Sequence, residues 1–214
     1  MWSSLVTALA RPILPFGVSM ARLASKDMKK KAIFSSASPL IWIDCEITGL
    51  DIEKSRLVEI ACIVTDAKLK TVAEFGPVVI HQPPQIMENM DDWCKATFKE
   101  NGLTKRIEES VISEKEAENQ VLNFLHEHTK PSECPLAGNT VYMDKLFLMK
   151  YMPRLVEHLH YRIVDVSTIK ELVSRWYSKE SIENVPKKKM KHLALDDIRE
   201  SIEELRYYRE NFFR

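Results

Sequence analysis

Runs of apolar residues separated by short polar turns mark the first part of this chain. Three such runs predict β-strands at about Pro39–Glu46, Arg56–Thr65 and Thr71–His81. A turn at Thr48–Asp51 separates the first two runs, and Gly49 supplies the backbone freedom that the turn needs. Strands this close in sequence pair most readily with their neighbours, so we expect an antiparallel meander.

Helical spacing of apolar residues dominates the rest of the chain, interrupted by two short strand-like runs at Leu136–Asn139 and Tyr161–Val166. Periodicity or a capping residue marks each predicted helix. The helices cover about Gln85–Phe98, a segment that opens with Ser113 and Glu116 as a capping box, Tyr142–Tyr151, a segment that Ser167 caps and that ends near Trp176, and Leu193–Tyr208. A meander followed by alternating helices and strands predicts an α/β fold, with a mixed sheet flanked by helices on both faces.

Composition is that of an ordinary globular domain. The chain has 214 residues, 45% hydrophobic and 29% charged, with a formal net charge of +0. It therefore lacks the overall basic field that favours long nucleic acids, although a local anion site remains open. The four cysteines form no C-x-x-C pair, and we interpret them as reduced core thiols of an intracellular protein: Cys45, Cys62, Cys94 and Cys134.

The N-terminal segment differs from the rest of the chain. Its first 26 residues contain no Asp or Glu and carry Arg11, Arg22 and Lys26 among hydroxyl and apolar residues. This pattern favours a mitochondrial presequence over a secretory signal, and Arg11 and the prolines argue against a membrane helix. We expect residues 1–38 to be a presequence or disordered N-terminus, residues 39–214 to form the domain, and the protein to work in the mitochondrial matrix. Met20 as an internal start would also yield a cytosolic form.

Two acids at the end of the first predicted strand suggest chemistry. Asp44 and Glu46 alternate with Cys45, so their side chains point to one face of the strand. Two buried carboxylates repel each other and lose solvation, and a hard divalent cation offsets both costs. The alternative is that the strand ends at the surface and both acids are solvated.

Three later polar residues extend this set. Asp144 follows Gly138-Asn139-Thr140 at the start of a predicted helix, and His192 and Asp197 lie five residues apart at the start of the last helix. Each has an ordinary alternative, a helix cap for the aspartates and a solvated side chain for the histidine. Helical periodicity does not choose between Asp196 and Asp197.

The order of these groups resembles the DEDDh branch of the DnaQ-like 3′-to-5′ exonucleases. Five segments resemble oligoribonucleases closely, and the likeness extends over Pro39–Arg209: Asp44–Asp51, Met90–Cys94, Pro135–Asn139, Tyr161–Ser167 and His192–Ile198. The resemblance implies a ribonuclease-H-like fold and two divalent ions, Mg²⁺ or Mn²⁺. It assigns Asp44, Glu46, Asp144 and Asp197 as metal ligands and His192 as general base. The implied activity is hydrolysis of short oligoribonucleotides, down to dinucleotides, to 5′-mononucleotides.

The same resemblance implies substrate contacts. Leu50 would meet the bases as an apolar wedge, and Trp93 would stack or pack in the pocket. Tyr161 would reach the site from a second protomer, which implies a homodimer. The substrate's 5′-phosphate would contact Arg162 and Ser167, with Thr140 adding its hydroxyl. Without the resemblance, Trp93 and Tyr161 would be interpreted as core aromatics and Arg162 as a surface residue.

Several positions depart from the family pattern, and others we interpret as structural. Tyr142 and Phe98 stand where histidine is usual, and Leu193 where arginine is common, which puts affinity and length preference in question. We interpret Glu59 and Asp165 as structural. The remaining alternatives are an exonuclease for longer RNA or DNA 3′ ends and a non-catalytic nucleotide-binding module; no membrane partner is expected.

Overall fold

A five-stranded mixed sheet forms the centre of the computed structural model, which describes residues 38–186 and 193–213. Its strands are β1 (Leu40–Ile47), β2 (Leu57–Thr65), β3 (Thr71–Val79), β4 (Pro135–Gly138) and β5 (His160–Asp165). They are ordered β3-β2-β1-β4-β5. The first three are antiparallel, whereas β4 and β5 continue the sheet in parallel with β1. The predicted meander and mixed α/β sheet are therefore confirmed.

Helices cover both faces of this sheet. Within the described residues they are α1 (Pro84–Glu88), α2 (Asp92–Glu100), α3 (Leu103–Glu109), α4 (Glu114–His128), α5 (Tyr142–Tyr151), α6 (Pro153–His158), α7 (Val166–Trp176), α8 (Lys179–Ile182) and α9 (Ala194–Asn211). None of these is long and apolar enough to cross a membrane.

The predicted helix over Gln85–Phe98 is wrong, because the chain breaks it into α1 and α2. Asp91 is extended, with φ −65° and ψ 158°, and its carboxylate accepts a hydrogen bond from the backbone N–H of Cys94 at 2.8 Å. An N-cap of this kind begins a new helix and satisfies one of its free donors. The cap of α7 also differs from expectation, since it is Asp165 that accepts from the Ser167 N–H at 2.9 Å.

Side-chain alternation along β1 divides the core between the two faces of the sheet. Ile41 and Ile43 pack with α4, α5 and α6 on one face, and Trp42 packs with α7 and α9 on the other. Asp44 and Glu46 continue the Trp42 side and so reach the region where α9 begins. Strand β1 thus places two carboxylates beside the first turn of α9, a helix near the other end of the sequence.

The four cysteines are buried and free, as the interpretation of reduced core thiols expects. Burial raises the pKa of Cys62, and burial followed by the neighbouring carboxylates raises the pKa of Cys45. Thiols held in the protonated form are poor nucleophiles and poor metal ligands. They therefore contribute packing here.

Candidate active site

Three carboxylates converge where β1 meets α9. Ligand atoms of Asp44, Glu46 and Asp197 all lie within 4.8 Å of one another. Glu46 is buried, and the other two are partly buried. The structure also separates the two candidates on α9, because Asp196 pairs with Arg199 at 3.3 Å while Asp197 joins the cluster.

A buried carboxylate, held in an ion pair, contacts the start of α9 beside this cluster. Glu59 lies opposite Glu46 in the β1–β2 register and is fully buried. One of its oxygens accepts from Arg106 at 2.7 Å, and the other accepts from the backbone N–H of Ala194 at 3.3 Å. Glu59 thus satisfies a free donor of the first turn that carries Asp197. This contact supports the structural interpretation of Glu59.

Asp144 contacts the same strand at Cys45. It lies in the first turn of α5, is buried, and accepts a hydrogen bond from the backbone N–H of Cys45 at 3.0 Å. It lies outside the compact group of three, but its charge acts on the same acids. The structure therefore brings Asp44, Glu46 and Asp197 into contact range and places Asp144 beside them.

Burial and mutual repulsion raise the pKa values of the acids in and beside the cluster. Burial raises the pKa of Glu46 to about 8, with further increases from Asp44 and Asp197. Burial and then the charge of Asp44 raise the pKa of Asp144 well above its usual range. Oxygen ligands that repel each other in a partly dry site fit a hard divalent ion such as Mg²⁺ or Mn²⁺.

Without metal, the free energy of unfolding of this protein should fall as the pH rises. The folded-state pKa of Glu46 is about 8, against 4.5 in the unfolded chain. Its protonation therefore contributes stability that is fully present below pH 4.5 and is lost as the pH rises through 8. We expect the increase in Tm on adding Mg²⁺ to chelator-treated protein to be larger at pH 8 than at pH 6, since metal binds the deprotonated acids. Thermal unfolding at both pH values measures this, and an equal or smaller increase at pH 8 would contradict it.

A cleft opens beside Glu46 and carries two of the predicted substrate contacts. It has a volume of about 360 Å³ and is lined by Glu46, Leu50, Asp91 and Trp93, among others. Leu50 is 76% exposed and Trp93 is 58% exposed, so Trp93 is not a core aromatic. Hydrogen bonds from Asp91 N–H to Thr48 O (3.3 Å) and from Cys94 Sγ to Ile47 O (3.4 Å) join α2 to the end of β1 and so hold the two walls together.

A second pocket, of about 330 Å³, contains Thr140 and Ser167 and also Tyr142. The Thr140 N–H donates to Asp165 at 3.0 Å and to Ser167 Oγ at 2.7 Å, and the two hydroxyl oxygens lie 3.0 Å apart. Thr140 has a φ of 54°, a left-handed conformation that these bonds stabilise. Asp165, interpreted from sequence only as structural, is thus also the residue that fixes this pocket.

Arg162 and Tyr161 lie on the exposed part of β5. The Arg162 guanidinium lies over the Tyr161 ring at 5.4 Å, and Tyr161 is 73% exposed. In the described chain Arg162 is not among the residues that line the pocket of Thr140 and Ser167. Tyr161 is therefore not a core aromatic.

The three residues that differ from the family pattern lie in different environments. Phe98 is fully buried among Val58, Cys94 and Leu103, so that position contributes to the core and not to a polar contact. Tyr142 lines the second pocket, and Leu193 immediately precedes α9. His192, the expected general base, lies outside the described residues, as do residues 187–191 and residues 1–37.

Comparison with known proteins agrees with this geometry. Residues 41–205 match the RNase_T exonuclease family. The chain is 51% identical over 180 residues to the mitochondrial oligoribonuclease of Homo sapiens, covering 84% of this chain and 76% of that protein. It is 54% identical to the oligoribonuclease of Marinobacter nauticus, covering 84% of this chain and 99% of the relative. Among solved structures, S. pombe Pop2p is similar in fold, with a TM-score of 0.61, 10% identity and 90% coverage of each chain. The chain therefore belongs to the oligoribonuclease family of exonucleases.

Proposed function

We propose that this protein is a metal-dependent 3′-to-5′ exoribonuclease that hydrolyses short oligoribonucleotides, down to dinucleotides, to 5′-mononucleotides. The observation that carries the proposal is the group of Asp44, Glu46 and Asp197 within 4.8 Å, of which Glu46 also lines the cleft of Leu50 and Trp93. Relatives at 51% and 54% sequence identity are named oligoribonucleases, which supports this proposal.

The four carboxylates would hold two divalent ions, Mg²⁺ or Mn²⁺. When bound, such ions lower the pKa of the attacking water and stabilise negative charge on the departing 3′-oxygen. The protein's own part is to hold the ligands: β1 presents Asp44 and Glu46, the Cys45 N–H orients Asp144, and Glu59 fixes the helix start that carries Asp197. His192 would accept the proton of the water.

The two pockets would divide the substrate between them. Leu50 and Trp93 offer apolar contact to the bases, and Thr140 and Ser167 would bind the 5′-phosphate in the second pocket. Arg162 lies on β5 outside the lining of that pocket and would contact the phosphate from there. A net charge of +0 suits a ligand this short, which needs no long basic track. A site closed at the 5′ end would also penalise longer chains.

Replacing Trp93 with Ala tests the base contact. Stacking of a base on an aromatic side chain is worth about 1–3 kcal/mol, so we expect KM for a diribonucleotide to rise roughly ten- to hundredfold. Since Trp93 is 58% exposed, Tm should change little. Trp176→Ala is the matched control, because Trp176 is 70% exposed and lies outside the cleft. Equal KM values for the two variants would remove Trp93 from the site.

Turnover of two substrates by the purified full chain tests the function as a whole. We would compare a 5′-phosphorylated diribonucleotide with a twenty-nucleotide RNA, in Mg²⁺ and in Mn²⁺. Fast cleavage of the diribonucleotide is the expected result. Cleavage of the longer RNA alone would instead favour an exonuclease for longer 3′ ends, and binding without metal-dependent cleavage would favour a non-catalytic module.

We propose that the protein acts as a homodimer. The β5 strand is a sheet edge, and it lies beside α5, where the Lys145 ammonium donates to the Tyr161 carbonyl at 2.9 Å. Five apolar side chains are exposed on these two elements: Tyr142, Leu146, Met149, Tyr161 and Ile163. A surface of this kind is typical of a subunit contact. Sedimentation of the wild type and of Met149→Glu tests this, with a dimer that the charge dissociates as the expected result.

We propose import into the mitochondrial matrix. The human relative is named a mitochondrial protein, and the first 26 residues of this chain are free of acids and carry three basic residues. Microscopy of the full chain fused to a fluorescent protein should show mitochondria. A form that starts at Met20 should remain cytosolic, and identical locations for both would contradict the presequence.

A further inference from the structure

A closed turn over residues 48–56 carries Leu50, and we call it the Leu50 turn. Its two ends are joined, because the Thr48 N–H donates to the Arg56 carbonyl at 3.0 Å and the Arg56 N–H donates to Thr48 Oγ1 at 2.9 Å. Within the turn, the Asp51 carbonyl accepts from the Ser55 N–H at 2.8 Å. The Leu50 side chain itself is largely exposed and has little packing to fix it. The position of Leu50 therefore follows the position of this ordered turn as a whole.

Two neighbouring side chains at the end of α5, Lys150 and Tyr151, contact this turn from outside, and we call them the α5 clamp. The Lys150 ammonium donates to the Ile52 carbonyl at 2.7 Å and to the Glu53 carboxylate at 3.0 Å. The Glu53 side chain is 79% exposed, and an ion pair that solvent reaches contributes little. The bond to the backbone carbonyl of Ile52 is therefore the one that holds the chain next to Leu50.

The Tyr151 hydroxyl bonds the same turn at three points. It shares its proton between the Ser55 carbonyl at 2.8 Å and the Ile52 carbonyl at 3.3 Å, and it accepts from the Arg56 guanidinium. That guanidinium also lies over the Tyr151 ring, 4.8 Å from its centroid, which is a cation–π contact. Tyr151 thus contacts both the middle of the Leu50 turn and its end.

The same helix contacts β1 near its other end. Asp144 accepts from the Cys45 N–H at 3.0 Å, and it precedes Tyr151 on α5 by two helical turns. Two turns correspond to about 700° of rotation, so Asp144 and Tyr151 lie on nearly the same face of α5. Phe147 lies between them, is fully buried, and stacks on the Tyr151 ring with centroids 6.2 Å apart. A single packed helix therefore links the Leu50 turn to an acid beside the carboxylate cluster.

We propose that Lys150 and Tyr151 are positioning residues that hold Leu50 at a fixed distance from the carboxylates and so set where the bases of the substrate bind. This inference rests on the proposed function, which assigns the base contact to Leu50. In the described chain, neither clamp residue lines the cleft of Leu50 and Trp93. Both therefore act through the turn and not on the substrate itself.

The test removes the polar groups of the clamp and keeps its bulk. Lys150→Met with Tyr151→Phe should raise KM for a diribonucleotide roughly tenfold, because the turn loses the donors that fix its position. We expect kcat to stay within about twofold, because the bond between Asp144 and Cys45 is unchanged. Either substitution alone should raise KM less, since the Ile52 carbonyl keeps one donor, and it carries the same test if the double variant does not fold.

A double-mutant cycle with Leu50→Ala shows whether the clamp acts through Leu50. Leu50→Ala removes the apolar contact and should itself raise KM roughly tenfold. In that background the two clamp substitutions should raise KM by less than about twofold more, because the residue that they position is already missing. In a Trp93→Ala background they should keep their roughly tenfold effect, because Trp93 belongs to another element, α2.

A matched control makes the same two chemical changes outside the cleft. In Lys105→Met with Tyr177→Phe, the lysine side chain is 79% exposed and the tyrosine hydroxyl meets only the Phe212 carbonyl, at 3.4 Å, among its printed hydrogen bonds along the described chain. This control should keep the wild-type KM.

The outcomes separate this inference from structural damage and from the proposed function. An unchanged KM in the clamp variant, or an undiminished clamp effect in the Leu50→Ala background, overturns the inference. A large fall in kcat overturns it too, because the clamp would then support α5 and Asp144 in general. An unchanged KM in Leu50→Ala removes the base contact and the inference together. Absence of metal-dependent cleavage in the wild type overturns the proposed function instead.

Discussion

Asp44→Asn is expected to lower the turnover of a diribonucleotide about a thousandfold or more while raising the Tm of the metal-free protein. Loss of one of the clustered carboxylates removes several kcal/mol of metal-dependent stabilisation, and each 1.36 kcal/mol is tenfold in rate. The charge of Asp44 also raises the pKa of both Glu46 and Asp144, so its removal relieves repulsion between buried acids. Stability and activity therefore move in opposite directions, as they do at many functional sites.

Single-turnover cleavage and thermal unfolding, each with chelator and with Mg²⁺, measure the two effects. Asp92→Asn is the matched control, because the Asp92 side chain is fully exposed on α2 and meets Lys95 only at 3.9 Å. We expect that control to keep both activity and the Tm increase on adding Mg²⁺. If Asp44→Asn lost activity through a lower Tm, or kept activity, the acidic cluster would have a structural role.

Much of this site follows from local patterns. Alternation along β1 places Asp44 and Glu46 on one side, and the meander of β1, β2 and β3 follows from short turns between apolar runs. The choice of Asp197 over Asp196 is different, because both acids lie away from the apolar stripe of α9. Only the packing of that helix against β1 and β2, with the contact from Glu59 to Ala194, brings Asp197 to the cluster.

Other features depend on contacts between distant parts of the chain, which local patterns do not contain. Asn139 and Glu204 are 65 residues apart, and no local pattern predicts the hydrogen bond between them. The break before α2 depends on a single cap by Asp91, which competes with continuous helical periodicity. The burial of Phe98 under α3 likewise appears only once that short helix is in place.

His192→Ala is expected to lower kcat/KM for a diribonucleotide by about 10² to 10⁴, the usual contribution of a general base. His192 lies outside the described residues, and the chain on its C-terminal side is anchored: Leu193 is the N-cap residue of α9, and the Ala194 N–H donates to Glu59. A general base acts only when it is deprotonated, so the wild-type rate should rise with pH along an acidic limb of the pH–rate profile, and the variant should lose this limb. His126→Ala is the control, because that histidine is exposed on α4, which packs on the opposite face of the sheet from α9.

The clustered acids would produce a similar rise in rate with pH if they bind metal, and metal concentration distinguishes the two causes. Protonation of Glu46 competes with metal, so a limb that it causes shifts to lower pH as Mg²⁺ is raised. A limb that His192 causes stays in place once the metal sites are saturated. Rates measured from pH 5 to pH 9 at two saturating Mg²⁺ concentrations should therefore superimpose for the wild type. If the profiles shift instead, or if His192→Ala keeps the limb, the proton of the attacking water goes to a group other than His192.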